Sequence, residues 1–344
     1  MRPRSIRLAA IALALALLAR PAGAQDLQKV TIAFAGKGMS FLLQYIAIGG
    51  GFYKQEGLQP ESVDVTSGTR QAAAVMGGSA EITQVGFAHT MHAVGRGGAL
   101  VGICTAFDVY PIALVLSTDA VRRLGITDTM SVDEKIRRVK GVRIGITSPG
   151  SSTDEFMRTI MLVRGMDPSR DVQLQPIGIG APMVAAMQQG ATDGFAFMSP
   201  FTNISVSRGL GQIIADPMTG ELPEYRDVPY QVITTSRATL AAKRPLLLKV
   251  VRALTRAMQF AHQDIEGSRK IARTFFEDTP EAEFNTAFDI YIKAVPSTPI
   301  ISQEQVDKTV QMVNLTEKAP ISATYDQVVY PDLSREAAKE ILGK

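Results

Sequence analysis

The chain has 344 residues, 46% apolar and 20% charged, with one cysteine, three histidines and no tryptophan. That length suggests two lobes rather than one core, and a lone cysteine excludes an internal disulfide. The net charge of +3 comes from residues 1–24, which hold four arginines and no acid; the remaining 320 residues carry 32 basic and 33 acidic side chains, which gives no footing for nucleic acid or a membrane surface.

In chain order, residues 1–24 read as a secretory signal: Arg2, Arg4 and Arg7, the apolar run LAAIALALALL, and Ala22-Gly23-Ala24 with cleavage expected after Ala24. The run is well short of the roughly 20 apolar residues that span a bilayer, and no cysteine at the cleavage site offers a lipid anchor. Beyond it, short Val/Ile/Phe-rich runs alternate with helical patterns, the grammar of βα units. VTIAFA (30–35) runs into GKGMS and a helix over 41–55; SVDVT (62–66) into SGTRQ and a helix ending at Gly77-Gly78; EITQVG (81–86) into FAHTMHAVG. ALVGICTAF and YPIALVLS, within 99–117, are strand-like, and the polar stretch 118–141 introduces a second series. That series is VRIGIT with SPGSST, DVQLQPI with GIGAPM, and DGFAFM with SPFTN. VPYQVITTS (228–236) reads as a strand returning to the first lobe. From Ala238 the pattern is helical, with Pro245 suited to a first turn, and further helices are expected over 280–294, 302–316 and 334–342.

The two series have one spacing. Phe34, Val65 and Val85 are 31 and 20 residues apart, as are Ile146, Ile177 and Phe197, so a shift of 112 superposes them. Under that shift Gly38 meets Gly150, Ser40 meets Ser152, Gly68 meets Gly180, Gly78 meets Gly190, and Glu81 meets Asp193. Strand spacings coincide by chance in many α/β chains; matching glycines at the strand-to-helix turns favour two pseudo-equivalent lobes. The expected fold is α/β, two doubly wound lobes joined by a two-strand hinge with C-terminal helices. Lobe 1 would comprise 25–117 and 228–344, and lobe 2 118–227.

Ligands of open α/β sheets bind where the carboxyl ends of strands meet helix N-termini, so six βα loops should surround one cleft. SPGSST offers unpaired N–H groups, Gly150 for close approach, and the hydroxyls of Ser151, Ser152 and Thr153. Its alternative is a simple cap by Ser152 or Thr153, with Glu155 completing a capping-box-like start; the place at a sheet's end, facing a partner lobe, favours an anion seat. It is neither a Walker loop nor a nucleophile elbow. Arg70 sits in a helix's first turn, where a cation opposes the dipole; an acidic ligand would explain it, and so would a side chain extended into solvent. His89, just past a strand end, suits a hydrogen-bonding wall. With His92 and His262 as the only other histidines and no acid nearby in sequence, no metal site is read. Phe107, Asp108 and Tyr110, between the crossing strands, line the cleft or pack in the core, and Met198 and Ser199 follow another strand. No Ser-His-Asp or Cys-His arrangement is visible, so neither catalysis nor a cofactor is expected.

AIGGGFYKQEGL (47–58), SGTRQAAAVMGGSAEIT (67–83) and GVRIGITSPGSSTDEFMRTIM (141–161) resemble segments of the periplasmic substrate-binding proteins of ABC importers for sulfonates, taurine and nitrate. The likeness extends over essentially all of the chain after residue 24. It implies a type II periplasmic-binding fold that closes on a small anionic or polar molecule (sulfonate, carboxylate or pyrimidine-like) and delivers it to an inner-membrane ABC permease, as a monomer. By position it implies Gly38, Met39, Ser40, Thr69, Arg70, His89, Ser151, Ser152 and Thr153 as ligand-facing. Arg70 and His89 stand where small residues are commoner, which leaves room for a carboxylate or heteroaromatic ligand. Enzymes of thiamine-pyrimidine synthesis share the resemblance, but it implies for them a cysteine-rich segment that this chain lacks. A ligand sensor for a membrane receptor would share every residue named.

Overall fold

The computed structural model describes residues 27–317 and 319–343; the signal and its cleavage site lie outside the described residues. The first series is β1 (Gln28–Phe34), α1 (Leu42–Gly49), β2 (Leu58–Asp64), α2 (Gly68–Met76), β3 (Ile82–Gly86), α3 (Phe87–Gly95) and β4 (Leu100–Phe107). The second is β5 (Ala113–Ser117), β6 (Arg143–Ile146), α4 (Ser152–Leu162), β7 (Gln173–Pro176), α5 (Ala181–Gln188), β8 (Gly194–Phe197) and β9 (Gly211–Ala215). Then come β10 (Gln231–Ser236) and the long α6 (Arg237–Gln263).

The strands form two five-stranded sheets, ordered β2-β1-β3-β10-β4 and β7-β6-β8-β5-β9. Both follow one plan. Three parallel strands come first, then an antiparallel strand arriving from the other series, then an antiparallel last strand. The strands buried along their whole length, β3, β4, β8 and β10, are covered on both faces, whereas the edge strand β2 alternates with solvent.

The sequence reading carried the first lobe through Ser117, but Ala113–Ser117 pairs with β8 and β9 in the second sheet. The first crossing therefore falls at 108–112. An apolar run such as IALVLS states that a strand is buried and not which sheet buries it. The strand β9, half-exposed along much of its length, escaped the pattern altogether. The polar stretch 118–141 contains two short helices, capped by Ser117 and Ser131. In α6 the non-helical Lys243 (φ −131°) breaks the helix, and Pro245 opens the segment that follows, where its missing N–H costs nothing.

The 112-residue offset reappears in hydrogen bonding. Glu81 accepts from the Thr31 backbone N–H at 2.6 Å and Asp193 from that of Arg143 at 2.8 Å, and Thr31 and Arg143 are themselves 112 apart. Each carboxylate also meets a cation, Lys243 at 2.9 Å and Arg123 at 3.0 Å respectively. Burial alone would raise the Asp193 pKa; the hydrogen bonds from Arg143 and Arg123 outweigh it and bring it from 3.8 to about 2. Because the folded value is depressed, this group's stabilisation is complete above the unfolded pKa and is lost as pH falls from about 4 toward 2. Thermal melts across that interval should show a shallower acid decline in Asp193→Asn than in the wild type. Parallel profiles would reject the assignment.

Candidate functional site

The carboxyl ends of the parallel strands in both sheets face one crevice, and helix starts converge on it. Gly38 precedes the turn leading into α1, Ser67 caps α2, Gly86 leads into α3, Ser151 caps α4, and Ile179 adjoins Gly180 at the head of α5; all but Gly180 line the crevice. Ser67 and Ser151 each accept from the third helical N–H, at 3.4 Å. The earlier N–H groups of those helices have no intrahelical acceptor, so donors and positive dipole ends point at one place. Lys37 is the one cation in the lining, and no carboxylate accompanies it. Tyr230, also in the lining, stays neutral because burial raises its phenol pKa. The whole arrangement favours negative charge.

The two lobes touch across the crevice. The Met39 N–H donates to the Ser199 carbonyl at 3.5 Å, the Ser40 hydroxyl donates to the Met198 sulfur at 3.0 Å, and the Tyr110 hydroxyl to the Ser152 carbonyl at 3.2 Å. The space left is about 40 Å³, room for a group of a few atoms. The geometry is that of a closed clamp.

Of the residues singled out in the sequence, Gly38, Ser151, Ser152, Thr153 and Met198 line this crevice. Thr69 and His89 line a neighbouring cavity instead. Ser151 is the cap, with Asp154 rather than Glu155 reaching back, to the Gly150 N–H at 2.8 Å. Met39 is fully buried in the core, and Ser40, equally buried, gives its hydroxyl to Met198. Ser199 is held behind the crevice, its N–H donating to Tyr291 at 3.0 Å and its hydroxyl to Asn203.

Three expectations need correction. Arg70 is exposed and lines neither space, because Gly68 and Gln71, three residues apart, share the inward face of α2 and Arg70 falls off it. Asp108 faces the helix Gln303–Asn314 and accepts from Gln305 of that helix at 3.2 Å and from Thr105 of β4 at 2.9 Å, and its burial raises its pKa. Tyr110 belongs to an aromatic cluster at the crossings, 4.3 Å from Tyr225 and 4.9 Å from Tyr230, ring centre to ring centre.

Sequence reasoning missed Lys37, Gln71, Tyr230 and Gln231 in the lining. Lys37 lay in plain view within GKGMS. The others are fixed from afar: Gln71 donates to Ala33 O at 3.0 Å and Thr83 at 2.8 Å, and Gln231 accepts from Gln84 at 2.9 Å. Cys104 is fully buried and burial raises its thiol pKa, which leaves it unreactive. Among the described residues no three His, Cys, Asp or Glu side chains are placed to hold a metal ion.

Comparison with known proteins fits this geometry. A solved structure from Bordetella bronchiseptica RB50 superposes with a TM-score of 0.79 at 22% identity, covering 92% of this chain and 98% of that one. The alkanesulfonate-binding protein SsuA from Xanthomonas axonopodis pv. citri, bound to MOPS, gives 0.65 at 17% identity, covering 89% and 98%. The nitrate/nitrite binding protein NrtA of Synechococcus elongatus is 35% identical over 130 residues, 38% of this chain and 27% of the relative. A family model matches residues 23–275, well over half of the sequence, and the chain belongs to the NMT1-like family.

Proposed function

We propose that this protein is the solute-binding component of an ABC importer, exported to the periplasm, which closes its lobes on a small anion and presents it to a membrane permease. The observation that carries the reading is the convergence of helix N-termini from both lobes, with Lys37 and without a carboxylate, on one closed crevice. Both lobes contribute donors, so the full binding energy is realised only on closure and drives it. The alkanesulfonate and nitrate ligands of the named neighbours are anions of the kind such a seat accommodates. Binding rather than turnover is supported by the named neighbours being binding proteins, and Cys104, buried and protonated, offers no reactive thiolate. The protein acts as a monomer, with one seat per chain.

Thermal-shift screening of sulfonates, carboxylates, nitrate and pyrimidines tests this. A true ligand at a hundredfold over its Kd adds about 2.7 kcal/mol of stability. Lys37→Glu, at an exposed position, is expected to weaken anion binding about tenfold without lowering the melting temperature of the free protein. A screen in which no anion shifts the melt would overturn the reading.

A further inference from the structure

Beside the crevice lies a larger space of about 460 Å³, bounded by α2, α3, α4 and the segment Thr316-Glu317. The two spaces share a wall one residue thick. Gly68 lines the crevice and Thr69 the side cavity; Ser151 lines the crevice and Gly150 the side cavity. A Cβ on Gly68 would stand 2.8 Å from a His89 ring nitrogen, and one on Gly86 3.2 Å from the other, so the His89 ring backs directly onto the crevice. Where the wall meets between the lobes, the Thr69 hydroxyl donates to the Gly150 carbonyl at 3.2 Å, an exposed contact, and His92 lies 3.4 Å from Glu155.

Two of the three carboxylates in the side cavity are paired with arginines, and the third, Glu155, has the His92 ring beside it. Arg158 donates to Asp154 at 2.8 Å, Arg96 lies 3.6 Å from Glu317, and His92 stands between Glu155 at 3.4 Å and Glu317 at 3.1 Å. His92 Nδ1 and Glu155 Oε1 are buried without a well-formed hydrogen bond, and so are both ring nitrogens of His89, which is 7% exposed and set against the Gly86 backbone. Burial lowers the His89 pKa against the pull of Glu155, so the neutral ring offers one donor and one acceptor. A buried polar group left without partners is costly, and a ligand atom that completes its bonding offsets that cost. The remaining wall includes Ala72, Met76 and Ala93, which are apolar.

The geometry points to a two-part ligand: an oxyanion headgroup held in the crevice, and an uncharged organic tail that passes the Thr69–Gly150 contact into the side cavity and hydrogen-bonds to His89 through an ether, amide or ring nitrogen. This rests on the anion-binding function proposed above and narrows it from any anion to organic sulfonates or carboxylates. The crevice itself, at about 40 Å³, has no space for such a tail.

Calorimetric titration of the whole protein tests the inference with nitrate, with methanesulfonate, butanesulfonate and methoxyethanesulfonate, and with acetate, pentanoate and methoxypropanoate. The better-bound series identifies the headgroup. Within it, affinity should rise about tenfold or more from the one-carbon tail to the ether-bearing tail. The ether should also outbind its all-carbon isostere. His89→Phe should reverse that last preference. Met76→Trp, which fills the cavity from a half-exposed position, should bring the tail-length ratio toward one even if the His89 variant does not fold. Tail-independent affinity, nitrate binding as tightly as the tailed acids, or a tail-length ratio preserved in Met76→Trp would each overturn the two-part ligand while leaving an anion-binding protein. Binding of no anion at all would sink both readings together.

Discussion

Gly86→Leu is expected to raise the Kd for the proposed anionic ligand about 10- to 100-fold while the free protein still folds and melts cooperatively. Gly86 ends β3 in the first lobe, and a Cβ there would stand 2.8 Å from the Ser152 hydroxyl of the second. Its φ of −51° suits any L-residue, so the substitution strains no backbone. An alanine methyl could be met by a rotation of Ser152; a leucine cannot, and overpacking of this kind costs about 1–3 kcal/mol. The clash with Ser152 falls on the closed state alone, because opening removes it from the leucine's reach, whereas the His89 ring, 3.2 Å from the same Cβ within the first lobe, must yield in both states. Titration calorimetry and solution scattering should report weaker binding and a more open average shape. An affinity within twofold of wild type would show that this closure is not the binding event.

A comparably large effect, on stability, is expected at Arg164. Its guanidinium donates to Asp133 and Glu224, each at 2.7 Å, and to the Ile160 carbonyl at 2.9 Å. The side chains of Arg164 and Glu224 are 4% and 7% exposed. Arg164→Ala leaves the Glu224 carboxylate buried without its cation, a change that costs about 3–5 kcal/mol and lowers the melting temperature by roughly 6–20 °C. Removing the stranded charge with a second change, Glu224→Gln, should restore part of the loss. A single variant that melts within 2 °C of wild type would contradict this account.

The arrangement of the fold was readable because it rests on local chemistry repeated at a fixed spacing. The acids Glu81 and Asp193 recur because each sheet ties the backbone of β1 or β6 to a carboxylate at the same place, whereas Gly38 is extended (φ −159°) and Gly150 left-handed (φ +71°), so the glycines match in sequence and not in conformation. The place of Ser151, Ser152 and Thr153 in the crevice lining was legible from the strand-to-helix turn itself. What stayed hidden is set by orientation and distance along the chain. SGTRQ does not reveal that Gly68 and Gln71 face inward while Arg70 faces solvent. Nothing near Asp108 announces Gln305, 197 residues away, as its partner. The partnerless state of His89 is a property of the closed molecule and has no signature in FAHTMH.

The crossing of strands between the sheets has a consequence for biogenesis. In the first sheet β10 lies between β3 and β4, so a nascent chain emerging N-terminus first holds those two strands apart until Ser236 has appeared. The second sheet, drawn entirely from 113–215, can be complete by then. The lobe begun first is finished last, and until then the exposed flanks of β3 and β4 are the chain's surface most open to wrong pairing.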